Sequence, residues 1–246
     1  ERMALTGTGV RKVIAVSRLT AADIGRHYGR HEGVTVIPHG TDTDMFHPRL
    51  RPTCRPELLA RLGLPETAVL VLFAGNLQKG GVAAVEVVAR VPGVHLLLAT
   101  PSDAGAVLAR AGELNVADRV HWLGFSKEPQ RWIAAADLLL FPTFFDTFGL
   151  VILEAMACGL PVVTTRRAGA ADLVAHGETG WLVDDPGDIE GMSEGVRMLV
   201  EDEALRQRMG RAGRAVAEKR TWDAVAEETM RVYREMLKNG YNGRLN

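Results

Sequence analysis

Apolar positions along this chain come as short continuous runs set between longer stretches of helical period. KVIAVS (12–17), VTVIP (34–38), AVLVLFAG (68–75), GVHLLLAT (93–100), DRVHWLG (118–124), DLLLFPT (137–143) and PVVTT (161–165) are the runs. They scarcely alternate, as expected for strands covered on both faces. Helical patterns fall near 20–29, 80–90, 102–114, 127–135 and 149–158. This alternation predicts an α/β fold with a doubly wound, mostly parallel sheet. Beyond residue 186 the pattern is helical only. Trp222, Val225, Ala226, Thr229, Val232, Tyr233 and Met236 recur near a 3.6 period and predict one amphipathic helix. The stretch HPRLRPTCRP (47–56) holds three prolines and three arginines, which reads as a linker or domain edge rather than an element interior. Residues 1–46 hold only strand, helix and strand, too little to bury a core alone. The tail YNGRLN reads as frayed or engineered.

Composition narrows the class. The chain has 246 residues, 47% hydrophobic and 24% charged, with a net charge of −1. That suits a globular core and gives no reason to expect nucleic acid or a membrane surface as the main partner. Cys54 and Cys158 are too few for a disulfide framework or a cysteine-rich metal site. Cys158 follows an apolar helix and reads as a small core residue rather than a nucleophile. No apolar run reaches the ~18 residues of a membrane span, and no signal peptide is visible. The first residue is Glu1, so a fragment is expected, or a protein whose natural start is absent.

The candidate chemistry centres on FFDTFGLVILEAMACGLPVVTT (144–165). A helix apolar on every side reads as buried, and a carboxylate inside it, Glu154, is costly unless something polar meets it. Its partner is expected from either the protein or a ligand. Gly149 opens this helix after a parallel strand. Free N–H groups there suit an anion, and ligands of open α/β sheets sit beyond the carboxyl ends of the strands. A plain tight turn at Gly149 is an equal alternative. GNLQKGG (75–81) also follows a strand, and its lysine could hold a phosphate. It is no Walker A motif, because Gly80 follows Lys79. On its own, a solvated loop lysine is the better reading. Asp42-Thr43-Asp44 reads as a turn capped by aspartates, not a metal site. His27 and His31 have a zinc-like spacing, but no general-base Glu lies between them and arginines adjoin them. Arg166 and Arg167 read as solvated.

Taken together, these segments resemble the nucleotide-sugar-binding half of the retaining GT-B glycosyltransferases, family 4 (group 1), over nearly the whole chain. VIPHGTDTDMFHP (36–48) resembles that family's signature at the crossing between its two domains, and LFAGNLQKGG its phosphate loop. Asp146 and Glu154 resemble its signature acidic pair. AGAADLVAHGETGWLV (168–183) resembles the following loop and strand, and TWDAVAEETMRVYREML (221–237) the last helix. The resemblance implies a Rossmann-like carboxy-terminal GT-B domain at 47–220, a remnant of an otherwise missing amino-terminal domain plus linker at 1–46, and a helix at 221–246 that crosses back to that domain.

It also implies roles. Lys79 would contact the donor diphosphate, with Gly75 and Asn76 beside it. Glu154 would hydrogen-bond the ribose, and Asp146 the hydroxyls of the transferred sugar. Phe148 and the backbone N–H groups of Gly149 and Leu150 would lie at the donor phosphate, and Phe125 and Ser126 near the base. The donor would be a nucleotide-diphosphate sugar, with no metal and no other cofactor. The acceptor is unspecified. The missing domain, or a partner chain supplying it, would complete the cleft. A cytoplasmic location is expected, with peripheral membrane association through the missing domain compatible with it. The chain departs from the family at Asp146, where Glu is usual, at Asn76 where Arg is usual, at Asp172 where Glu is common and at His39 where Asn is common. Two other functions stay in view: a binding module without turnover, and a nucleotide-sugar epimerase of the same fold.

Overall fold

The computed structural model describes residues 10–241. In chain order, β1 (Val13–Ala15), α1 (Arg18–Tyr28) and β2 (Val34–Val36) form a small unit whose two strands pair in parallel, Val13 opposite Val34. A 3₁₀ turn at Pro48–Leu50 leads into α2 (Arg51–Leu62). Then follow β3 (Val69–Ala74), α3 (Gly81–Ala89), β4 (Val94–Ala99), α4 (Gly105–Glu113), β5 (Val120–Gly124), α5 (Pro129–Ala135), β6 (Leu138–Phe141), α6 (Leu150–Ala157), β7 (Val162–Thr165) and β8 (Gly180–Val183). The chain closes with α7 (Ile189–Glu201), α8 (Glu203–Ala217) and α9 (Trp222–Tyr241). The tail read as frayed lies, from residue 242, outside the described residues.

Among the described residues the main sheet runs β5-β4-β3-β6-β7-β8, and each pair is parallel. Its central strands are covered on both faces: Leu70, Val71, Leu72 and Phe73 of β3 and Leu138, Leu139 and Leu140 of β6 have no exposed surface. That burial is why the runs lacked alternation. Chain order departs in opposite directions from β3, toward β4 and β5 on one side and toward β6, β7 and β8 on the other. The switch between β3 and β6 is where a doubly wound sheet opens a crevice at its carboxyl ends.

The proline- and arginine-rich run at 47–56, read as a linker or domain edge rather than an element interior, lies within helical elements. It forms the 3₁₀ turn and the start of α2, with Pro52 in the first turn, where its missing N–H costs nothing. Pro56 sits inside the helix. Two of its three arginines are spent on Asp137, which is buried at the amino end of β6. Arg51 Nη2 donates to its Oδ1 at 2.5 Å and Arg55 Nη1 to its Oδ2 at 2.9 Å, while the Leu70 amide donates to Oδ2 at 2.7 Å. A two-arginine clamp on a buried carboxylate, closed over 80 residues of sequence, leaves no local signature.

The small β1–α1–β2 unit rests on the main domain near the carboxyl ends of its strands. The chain leaving β2 meets the start of α9, where Thr41 bridges Thr221 and a Cβ on Gly40 would lie 2.5 Å from the Thr221 carbonyl carbon. Arg220 fastens the same junction through the Pro38 carbonyl and Glu228. The apolar face expected on α9 exists but is largely uncovered. Val232 is buried, whereas Met230, Tyr233 and Leu237 are exposed. A cleft of about 380 Å³ lies between this face and β1, lined by Ile14, Val232, Tyr233, Met236 and Leu237.

Candidate functional site

Two loops build the crevice at the switch point. The loop after β3 turns at Gly75 (φ 134°), makes a 3₁₀ turn over Leu77–Lys79 and enters α3 through Gly80 (φ 124°). The loop after β6 runs from Pro142 to Gly149. The two touch backbone to backbone, since a Cβ on Gly80 would lie 2.2 Å from the Pro142 carbonyl oxygen. Only glycine satisfies both this contact and the positive φ. The approach brings Lys79 to Asp146, and Nζ donates to Oδ2 at 2.6 Å. The other oxygen of Asp146, Oδ1, accepts from the Phe148 amide at 3.2 Å. The aspartate itself is nearly buried, whereas Lys79 keeps almost half of its side chain exposed.

Gly149 takes φ 84° and opens α6 with no side-chain cap. The amides of Gly149, Leu150 and Val151 donate to no group among the described residues. They are the free helix-start donors that favour an anion. Phe148 turns its ring away, buried edge-on against His39 at 4.9 Å, so only its backbone faces the crevice. The His39 pKa is lowered, first by burial and then by Arg220, so a neutral imidazole packs there.

Glu154 lies one turn further along α6. Most of this helix is buried, but Val151 and Glu154 line a cleft of about 270 Å³ together with Gly75, Thr100, Phe125 and Ser126. The Glu154 carboxylate has no hydrogen bond or ion pair among the described residues, and burial raises its pKa from 4.5 to about 7. Among the described residues the protein supplies no partner for it. Phe125, by contrast, is 69% exposed at the rim, a flat apolar surface open to a stacking ring. Ser126 Oγ accepts from the Glu128 amide.

The structure thus gathers the predicted residues into two adjoining places. Gly75, Phe125, Ser126 and Glu154 share the cleft, while Lys79, Asp146 and the Gly149–Leu150 amides meet at its mouth. Asn76 is exposed, and its side-chain oxygen caps the 3₁₀ turn by accepting from the Gln78 amide at 2.9 Å. Its role in this structure is to shape the lysine loop.

Sequence reasoning missed the support behind the anion loop. Ser17, fully buried, donates to the Thr147 carbonyl at 2.7 Å, and Thr20 donates to the same oxygen at 3.2 Å. Asp172 accepts from the Arg18 amide at 3.0 Å. Gly169 makes the fit, because a Cβ there would lie 2.1 Å from the Thr147 oxygen and 2.6 Å from Ser17 Oγ. A serine beginning a helix reads from sequence only as a local cap, which Ser17 also is, accepting from the Thr20 amide. The look-alikes resolve plainly. Asp42 accepts from the amides of Asp44 and Met45 within its turn, and Arg166 pairs with Asp184 at 2.6 Å.

A parallel doubly wound sheet, with a lysine loop and a glycine-opened helix at its switch point, is the arrangement at which α/β domains commonly receive phosphate groups. The comparisons with known proteins narrow this. Residues 55–216 match the model for "Glycosyl transferases group 1", and the chain belongs to that family. A curated relative, the D-inositol 3-phosphate glycosyltransferase of Segniliparus rotundus, is 33% identical over 245 residues, covering 93% of this chain and 53% of the relative. The sucrose-phosphate synthase of Thermosynechococcus elongatus superposes with a TM-score of 0.81 at 28% identity, over 92% of this chain and 58% of that one. Anabaena HepE, solved in complex with UDP-glucose, gives a TM-score of 0.81 at 25% identity, over 93% of this chain and 64% of that one. The chain spans about half the length of the curated relatives it matches. Its fold is the GT-B glycosyltransferase type, Rossmann-like and mostly parallel. Among the described residues no helix is long and apolar enough to cross a membrane.

Proposed function

We propose that this chain is the donor-binding portion of a metal-independent, retaining glycosyltransferase that uses a nucleotide-diphosphate sugar. The observation that carries the reading is Glu154, a carboxylate set into an apolar cleft with its hydrogen-bonding capacity unspent. Vicinal hydroxyls such as those of a ribose would satisfy both oxygens, with the base against Phe125. The diphosphate would then reach the mouth, where Lys79 and the amides of Gly149 and Leu150 stabilise the charge that grows as the glycosidic bond breaks. To do this Lys79 turns part of its hydrogen bonding from Asp146 to the phosphates, and Asp146 becomes free to accept from the sugar hydroxyls. The bound UDP-glucose of HepE supports a donor of this class.

The acceptor face would come from residues outside this chain. On this reading residues 1–46 belong to an amino-terminal domain and α9 lays its apolar side against the same domain. The cleft between β1 and α9, together with the half-length match to the relatives, supports that division. The isolated chain would therefore bind donor without useful turnover.

The test is a thermal-shift screen against UDP, GDP and ADP, each with and without a chelator. A ligand at ~100 times its dissociation constant adds ~2.7 kcal/mol of stability. One diphosphate should raise the melting temperature equally in both conditions. No shift with any of the three, or a shift that chelation abolishes, contradicts the proposal.

A further inference from the structure

At the opposite end of the sheet from the donor crevice lies a cavity of about 390 Å³ that the proposed chemistry does not use. It opens at the amino ends of β6 and β7, between the 3₁₀ turn before α2 and the flank of α8. Arg51, Arg206, Arg211 and Arg214 line it, against only two carboxylates, Asp137 and Glu203. Asp137 is already held by Arg51 and Arg55, and Glu203 accepts from Gln207. The floor is apolar and neutral. Pro48, Leu160 and Pro161 contribute to it, and the buried Cys158 thiol is pushed up to about 12, so it carries no charge to oppose an anion.

One of the donors is set in place before any ligand arrives. Among the described residues Arg206 spends only Nη1 on the protein, donating to the Leu199 carbonyl at 2.6 Å and the Val200 carbonyl at 3.3 Å. That anchors the guanidinium and leaves its Nε–Nη2 edge free, the fork that grips an oxyanion through two parallel bonds. Arg211, five residues on along α8, has no hydrogen bond or ion pair among the described residues. Gly210 lies between the two and fixes α8 against the cavity wall, since a Cβ there would meet the Gly159 carbonyl oxygen at 2.0 Å. A pocket with a held but unfilled guanidinium fork, a second unpaired arginine and an apolar floor fits one oxyanion on a small organic body.

We infer that this cavity is a second ligand site, distinct from the donor crevice, and that it takes a phosphate monoester of monosaccharide size, gripped by Arg206 and Arg211. An occupant would touch Pro48, in the segment that joins the β1–α1–β2 unit to the main sheet. Arg214 ties that segment to α6 through the carbonyls of Thr43, Phe46 and Ala157.

The experiment is calorimetric titration of inorganic phosphate and of a monosaccharide phosphate, with the free monosaccharide as control. It is done in Lys79→Ala to silence the lysine at the donor crevice. Arg211 is exposed and holds nothing together, so Arg211→Gln added to that background leaves the fold intact, and a circular-dichroism melt verifies this. The inference requires that the monosaccharide phosphate bind Lys79→Ala at least tenfold more tightly than the free sugar. Affinity must also fall at least tenfold when Arg211→Gln is added. No phosphate-dependent binding in Lys79→Ala, or binding that Arg211→Gln leaves unchanged, overturns it.

Discussion

Glu154 is the residue on which the donor reading rests, and its environment makes two opposite demands. Without ligand, an ionised carboxylate in the cleft is unfavourable, and burial lifts its pKa to about 7. A folded-state pKa raised above the unfolded value favours the folded form below the unfolded pKa. That contribution fades as pH rises from about 4.5 to about 7. The free protein should therefore lose stability over that window, and Glu154→Gln should flatten the loss. With ligand the order reverses, because ribose hydroxyls donate to the ionised form. Affinity for a nucleotide sugar, whose phosphodiester groups are fully ionised throughout, should rise with pH up to about 7 and level off above it. At pH 8 Glu154→Gln should weaken binding by ~1.5–3 kcal/mol, the range of a charge-assisted hydrogen bond, while the ligand-free melting temperature stays level or rises. A mutant that instead melts lower and binds as well as wild type would make Glu154 a structural residue. This much was legible in the sequence, since a lone carboxylate among Leu150, Val151, Ile152, Leu153, Ala155 and Met156 signals an unmet partner. The Lys79–Asp146 contact was not, because it joins residues 67 apart through a glycine contact that no local pattern encodes.

At the scale of elements, the two loops of the crevice owe their spacing to Gly80. An alanine there would drive a methyl group into the Pro142 carbonyl and demand an unfavourable φ. Gly80→Ala should part the loops, destabilise the fold by ~1–3 kcal/mol and weaken diphosphate binding. Donor titrations and denaturant melts of the same preparation would read both effects; unchanged affinity would show that the lysine loop is positioned otherwise. On the far side of the sheet, Asp137→Ala would leave the half-buried Arg51 and Arg55 without their shared carboxylate and the buried Leu70 amide without its acceptor. It should cost ~3–5 kcal/mol, visible as a lower denaturant midpoint with an unchanged slope. The strands were easily read, because parallel strands buried on both faces write themselves as continuous apolar runs. The beginning of α2 was misread for an equally physical reason. Proline and arginine are the residues of exposed linkers when considered one by one. Here the first proline falls where a helix start lacks an N–H partner anyway, and two of the arginines answer a carboxylate supplied from 80 residues away.

For the whole molecule, the proposed function divides labour between a donor-binding body and an acceptor face that other residues would supply. Holding donor and acceptor together in one geometry is worth up to roughly 7–11 kcal/mol of barrier, so the isolated chain should show no steady sugar transfer. Multiple turnover by the monomeric 246-residue chain, judged by product formation and solution mass, would place an acceptor site within it. The uncovered face of α9 points the same way, although its period in the sequence announced only that it was amphipathic, not what would cover it. The central claim, a metal-free diphosphate site at the switch point between β3 and β6, is tested most directly by calorimetric titration of UDP and of uridine in the presence of EDTA, into wild type and Lys79→Ala. The expected result is that UDP binds wild type more tightly than uridine does without any divalent cation, and that Lys79→Ala reduces this preference, the Gly149 and Leu150 amides keeping the remainder. Failure of UDP to bind, binding that appears only when a divalent cation is restored, or a Lys79→Ala protein that still prefers UDP as strongly as wild type would contradict it.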